Sequence, residues 1–256
     1  MNHNALKETF RQGRSAIGTF VKFSDPAAVE ILALAGFDFF VLDTEHVAMD
    51  RQELVHILRA AEAFGITPIV RVRENNQVEI LQNLDLGYLG VQVPNVDTPE
   101  DAKRLVESVK YIPAGNRGLS PSVRACRYGT LPVAEYIERA NAETLVVSHC
   151  ETVECVKNLD EILKIDGIDV IFIGPMDLSQ SMGIPGQTAD PRLKAMIGEI
   201  SEKVLRSGKI LGTTAGSPEA ARELMQKGVS YILLSSDQGM MMNWARTAIR
   251  AIRETV

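Results

Sequence analysis

A histidine, an arginine and several carboxylates in this chain share one kind of neighbourhood: each follows directly on a short apolar, β-branched run. Asp43-Thr44-Glu45-His46 ends one such run, Arg71 the next, His149-Cys150-Glu151 another, and Gly174-Pro175-Met176-Asp177 the one after that. A histidine can take and return a proton near neutral pH once a partner fixes its tautomer. A permanent cation such as Arg71 can stabilise negative charge developing on an oxygen, or simply pair with a rim carboxylate. Glu151 and Asp177, at the ends of successive runs, suit one hard divalent cation, and an all-oxygen donor set favours Mg2+ or Mn2+, with Co2+ a further candidate, over structural zinc. A single carboxylate in such a place is as readily a helix N-cap or a solvated charge; it is the company of His46 and Arg71 that favours a site.

Of the four histidines, His3 falls near the N-terminus and His56 inside an amphipathic stretch, which leaves His46 and His149. His149 lies two residues before Glu151, so on a strand the two side chains share a face. For His46 the spacing leaves Asp43 and Asp85 both open as the partner. The Gly174-Pro175-Met176-Asp177 turn passes from strand to helix, where amides can meet a carboxylate or a phosphate.

Residues this far apart meet only if the elements carrying them are arrayed around one rim. β-branched runs are predicted as strands at 16–21, 37–42, 67–72, 89–93, 145–150, 170–173, 210–213 and 231–234, each followed by an amphipathic helical pattern. Ser24-Asp25-Pro26, Asp97-Thr98-Pro99 and Gly216-Ser217-Pro218 pair a helix cap with a first-turn proline, while Gly36, Gly65, Gly87, Gly208 and Gly228 close helices ahead of the next strand. Runs apolar on both faces, such as Val170-Ile171-Phe172-Ile173, belong in a parallel sheet covered by helices. Eight strand–helix pairs in 256 residues predict one (β/α)8 TIM barrel over 1–256, in which the strand C-termini converge on a single active-site face. An open doubly wound sheet is the structural alternative, but it lacks a Gly-x-Gly-x-x-Gly turn here. From Tyr111 to Leu131 a Pro- and Gly-punctuated connection breaks the rhythm and carries Arg117, Arg124 and Arg127; loops this long in compact domains are usually functional.

The net charge of -6 has no long single-sign block, which argues against nucleic acid or an anionic membrane as a general partner. Three cysteines without metal or disulfide spacing, no signal-like N-terminus and no spanning apolar run read as a soluble protein of the reducing cytoplasm.

The ordered series Gly36-Phe37-Asp38, Asp43-Thr44-Glu45-His46, Val70-Arg71, Val93-Pro94, Pro113-Ala114-Gly115-Asn116-Arg117-Gly118, Glu151-Thr152 and Phe172-Ile173-Gly174-Pro175-Met176-Asp177-Leu178-Ser179 resembles the HpcH/HpaI family of class II pyruvate aldolases over nearly the whole chain. The resemblance implies a metal on Glu151 and Asp177, chelated by pyruvate, whose carboxylate also meets amides near Met176 and Asp177. It implies that Arg71 polarises the keto oxygen, and that His46, oriented by Asp85, is the base through a water on the metal. The reaction so implied splits a 4-hydroxy-2-oxo acid into pyruvate and an aldehyde, or joins them, in a homohexamer whose 117–127 loop covers a neighbouring pocket. Where the family has Gln-x-Glu, this chain has His149-Cys150-Glu151, so His149 stands as an added metal neighbour, a second proton donor or a space-filler. Thr214 stands where relatives are often bulkier and apolar, which suits a polyhydroxylated aldehyde. Two other lyases are the alternatives: a Schiff-base aldolase, for which Lys22 is the candidate amine, and a lyase of malyl- or citramalyl-type coenzyme A thioesters.

Overall fold

A computed structural model of the chain describes residues 3–254; the ends of the expected 1–256 span, residues 1–2 and 255–256, lie outside them. Eight parallel strands close into a barrel in chain order, β1 (Ala16–Val21), β2 (Phe39–Asp43), β3 (Thr67–Arg71), β4 (Gly90–Val93), β5 (Leu145–Cys150), β6 (Val170–Ile173), β7 (Ile210–Ala215) and β8 (Tyr231–Ser236). The helices are α1 (Ala5–Arg11), α2 (Pro26–Leu34), α3 (Arg51–Phe64), α4 (Gln77–Leu86), α5 (Pro99–Val109), α6 (Val133–Glu143), α7 (Val153–Ile162), α8 (Pro175–Ser181), α9 (Pro191–Ser207), α10 (Pro218–Gln226) and α11 (Asp237–Glu254). The expected caps form: Asp25, Thr98 and Ser217 each accept a backbone N–H at the head of a helix that starts with proline.

Three strands, β2, β7 and β8, end later than the sequence expectation in a way that matters. β2 starts at Phe39 and runs on to Asp43, which the ladder sets opposite Arg71, and β7 and β8 continue to Ala215 and Ser236. Polar residues assigned to loops are therefore still on strands, held by ladder bonds, and their side chains inherit the strand's alternation.

That alternation divides the core. Phe39, Val41, Ile69, Val147, Phe172, Tyr231 and Leu233 fill the barrel interior, while residues such as Val21, Leu42, Val70 and Ile171 face the helices. The interior is tight: a Cβ on Gly18 would lie 2.5 Å from the Phe39 ring, so only glycine leaves that ring its place. Below the strand starts, α1 acts as a plug whose Leu6 joins the interior cluster. Polar groups there complete the closure: Lys7 Nζ lies 3.0 Å from Asp169, and Lys110 Nζ donates to the carbonyls of Asn141 and Thr144 at 2.8 and 3.0 Å.

The connection from 111 to 131 carries only a short 3-10 segment, Arg124–Gly129. Two of its arginines are structural: Arg117 reaches Asp85 at 2.6 Å with its guanidinium over the Tyr111 ring, and Arg124 pairs with Glu62. Arg127 and Tyr128 stand exposed with successive φ of 49° and 55°.

Candidate active site

Arg71, the last residue of β3, is buried at the barrel mouth and held from three sides. Its Nε and Nη2 donate to Asp43 at 3.1 and 2.7 Å, its Nη1 lies 3.1 Å from Glu45, and its guanidinium sits 4.5 Å above the centre of the Phe20 ring. A forked pair with Asp43 fixes the plane of the cation and not only its position. Asp43 also takes the backbone N–H groups of Glu45 and His46, both at 3.2 Å, and lies 3.4 Å from Lys22 Nζ. Burial acts to raise the Asp43 carboxyl, yet Arg71, the His46 amide and Lys22 together hold it below the ordinary carboxylate range.

Glu45 behaves in the opposite way. Burial raises its carboxyl above the usual value against the pull of Arg71, His46 and His149, with Glu151 adding to the rise. His46 is half-exposed, and its ring lies 3.8 Å from Glu45. Of the two partners left open for this histidine, Asp43 holds its amide rather than its ring, and Asp85 is elsewhere. A helix of a β/α unit runs back antiparallel to its strand, so Asp85, in the last turn of α4, returns to the end of the barrel where strands begin and is engaged there by Arg117. The structure does not bring Asp85 beside His46 within one chain; the carboxylate nearest the ring is Glu45, the partner that spacing did not single out.

Glu151 follows β5 and is buried. Its Oε1 accepts the Asn95 N–H at 3.0 Å and its Oε2 lies 2.6 Å from His149 Nδ1. Burial acts to raise this carboxyl too, but His149, the Asn95 amide and Arg71 bring it below the ordinary range. Each carboxylate oxygen has two lone pairs, so one on each remains. Asp177 sits exposed in the first turn of α8. The two acids face one backbone position: a Cβ added to Gly174 would lie 2.8 Å from Glu151 Oε2 and 3.6 Å from Asp177 Oδ2. That cradle, open because residue 174 has no side chain, suits a cation between two carboxylates. Among the described residues no three His, Cys, Asp or Glu side chains form a metal-holding group, so an ion here would draw its other ligands from water or substrate oxygens, the habit of Mg2+ and related ions.

The remaining expected residues take distinct places. No side chain caps the first turn of α8, which leaves the amides after Gly174 and Pro175, at the exposed Met176 and Asp177, available to an anion. Thr214 is exposed on β7, in alternation with inward-facing Gly212, whereas its neighbour Thr213 is buried and donates to the Ile173 carbonyl. Arg117 is buried against Tyr111 and Asp85, away from this rim. Sequence reasoning missed Asn95, Gln92 and Tyr231. Gln92 had a signal, since it is the one polar side chain in Gly90-Val91-Gln92-Val93; Asn95 had none, because its role rests on a backbone φ of 55° that aims its N–H at Glu151.

Set against known proteins, residues 16–243 match the sequence model of the HpcH/HpaI aldolase/citrate lyase family. The chain is 36% identical over 237 residues to the 2-dehydro-3,6-dideoxy-6-sulfogluconate aldolase of Pseudomonas putida, covering 93% of this chain and 92% of that one. A crystal structure of an HpcH/HpaI aldolase/citrate lyase family protein from Burkholderia cenocepacia superposes with a TM-score of 0.92 at 29% identity, covering 98% and 99% of the two chains. The citrate synthase SbnG superposes with a TM-score of 0.90 at 34% identity over 98% of each chain.

Proposed function

The chain belongs to the HpcH/HpaI aldolase/citrate lyase family and is a carbon–carbon lyase of the aldolase type; from that premise we propose that it is a divalent-metal-dependent class II aldolase which cleaves or forms 4-hydroxy-2-oxo acids, with pyruvate and an aldehyde as the other side of the reaction. The observation that carries this reading is that Glu151 and Asp177 face one backbone position at Gly174, at the barrel mouth where Arg71 and His46 lie 3.1 and 3.8 Å from Glu45. Glu151 and Asp177 would hold the ion, Mg2+, Mn2+ or Co2+, which when bound supplies a Lewis acid for the keto oxygen and for the enolate that follows.

The chain's own residues then have separable tasks. The uncapped amides at Met176 and Asp177 receive the substrate carboxylate, with Gly174 and Pro175 shaping the turn. Arg71, immobilised by Asp43, donates to the C2 oxygen and stabilises its negative charge without reorganising. His46 takes the proton from the C4 hydroxyl; the C3–C4 bond breaks, its electron pair passes into the enolate, and the aldehyde departs. Protonation at C3 yields pyruvate. Thr214, exposed at the same mouth, offers a hydroxyl to the aldehyde portion. Lys22, tied to Asp43 at 3.4 Å, is part of the Arg71 support rather than a free amine, which favours the metal route over a Schiff base. The likeness to a citrate synthase favours one second reading on the same residues, addition of the enolate to an oxo acid in place of an aldehyde.

The exposed Met241, Met242, Trp244, Ile249 and Ile252 on α11 support assembly of several copies, which we take to be the hexamer of the resemblance and which light scattering would measure. No described helix is long and apolar enough to cross a membrane. The test of the activity is pyruvate release from a panel of 4-hydroxy-2-oxo acids after chelation and metal add-back. Activity that survives chelation, together with a pyruvate adduct trapped on Lys22 by borohydride, would overturn the metal mechanism.

A further inference from the structure

One buried chain of hydrogen bonds crosses the barrel interior and ends on Glu151. Tyr231, fully buried on β8, lies 2.9 Å from Gln92 Oε1; Gln92 Nε2 lies 2.8 Å from His149 Nε2; His149 Nδ1 lies 2.6 Å from Glu151 Oε2. Four residues from β8, β4, β5 and the turn after β5 are joined, and none is more than 4% exposed.

The direction of every bond follows from the far end. The Tyr231 hydroxyl has one proton, and Gln92 is its hydrogen-bond partner among the described residues. A buried donor left without an acceptor is costly, so the hydroxyl donates and the Gln92 oxygen must face it. The amide nitrogen of Gln92 therefore faces His149, and since that nitrogen only donates, His149 Nε2 must accept. The ring is then the tautomer with hydrogen on Nδ1, and that hydrogen points at Glu151 Oε2. Turning the Gln92 amide over would leave the Tyr231 proton without an acceptor inside the barrel. The ring is also gripped from the side, stacked on Phe172 at 5.0 Å between centres and 30° between planes.

We propose that His149 is a positioning residue, set as the Nδ1–H tautomer by the Tyr231–Gln92 relay, which pins Glu151 for a divalent cation and is itself withheld from the ligand set because both ring nitrogens are already engaged. The inference rests on the metal reading above. It separates three roles that the sequence left open for His149, and it selects none of them as stated: not an added ligand, not a proton donor to substrate, and more than a filler. With Asn95 holding Oε1 and His149 holding Oε2, Glu151 presents one remaining lone pair per oxygen in a fixed plane. Groups that orient metal ligands in this way typically matter by about 10–100-fold in metal affinity.

The experiment has two arms on the whole protein. The first is long-range 1H–15N NMR of the metal-free protein labelled in histidine, with the His149 signals identified by their loss in His149→Gln. The expected pattern is a protonated Nδ1 and a bare Nε2, with Tyr231→Phe moving the ring toward a mixture of tautomers. The second is calorimetric titration with Mn2+: His149→Leu should weaken binding about 10–100-fold, His149→Gln, which keeps a side-chain N–H, should recover part of it, and Tyr231→Phe should weaken it less than His149→Leu. Hydrogen on Nε2, hydrogen on both nitrogens, or a His149 nitrogen that bonds to 113Cd2+ in place of Mn2+ would overturn the relay while leaving the metal site standing. Failure of the unaltered protein to bind Mn2+ would overturn the metal reading and remove the relay's purpose, even with the tautomer as expected. Unchanged Mn2+ affinity in His149→Leu would overturn the positioning role alone.

Discussion

Where the strands begin, Lys110 donates to two carbonyls, Lys7 meets Asp169, Lys209 donates to the carbonyls of Ile165 and Ile168, and Arg117 meets Asp85. Where the strands end, Arg71, Glu45, Glu151 and Asp177 are charged residues of the same kinds, but each keeps a face toward the open mouth. At the first end the cations are used up by backbone carbonyls and carboxylates. At the second, support comes from behind: Asp43 fixes Arg71, and Asn95 and His149 fix Glu151, so that what remains of each group points outward. A charge paired on all sides stabilises or tolerates a fold; one paired on its back is available for binding.

Changes at the open end should remove function with little effect on folding, and changes at the closed end the reverse. The largest effect is expected from Glu151→Ala, which should abolish Mn2+ binding in calorimetry and lower kcat/KM by about 1,000-fold or more, on the scale of losing a group that acts in the transition state, with an unfolding temperature close to that of the unaltered protein. A Glu151→Ala protein that still bound Mn2+ normally would dissolve the comparison. Arg71→Ala should cost about 100–1,000-fold in kcat with Mn2+ affinity nearly retained. Gly174→Ala sharpens the contrast further: its methyl would fall 2.8 Å from Glu151 Oε2, so Mn2+ affinity should drop about 10-fold, the order seen when a ligand's orientation is disturbed, while the φ of -97° at residue 174 imposes no backbone strain on alanine.

At the closed end, Lys110→Ala should leave kcat and Mn2+ affinity unchanged and cost about 1–3 kcal/mol in denaturant unfolding, the penalty of two carbonyls losing their donor. The same lysine sets a pH dependence. Burial lowers the Lys110 ammonium from 10.5 to about 8, so the unfolded chain holds that proton more tightly than the folded one. Stability should therefore rise with pH between about 8 and 10.5, a rise that denaturant titrations would find missing in Lys110→Ala.

The strand-ending acids and His46 were legible because a polar residue after an apolar run marks the mouth of a barrel wherever strands are parallel. Asp85 was legible as the end of its helix, and within one chain it is engaged by Arg117 at the strand-start end, so no contact inside a single copy joins it to the His46 ring. Glu45 was visible as a residue and not as the neighbour of the His46 ring, since that depends on bends at 45–47 that no periodicity encodes. His149 was placed beside Glu151 by the two-residue repeat of a strand, yet its tautomer depends on a tyrosine on the opposite wall of the barrel.

The order of elements, the count of eight strand–helix units and the polar residues that follow each apolar run are determined by the sequence alone, because hydrophobic period, helix caps and turn glycines act over a few neighbouring residues. Which polar group faces which was decided only by the closed barrel, because Tyr231 and Gln92, 139 positions apart, meet through the register of strands around a ring, and hydrogen-bond direction inside that ring is set by whichever donor has nowhere else to turn.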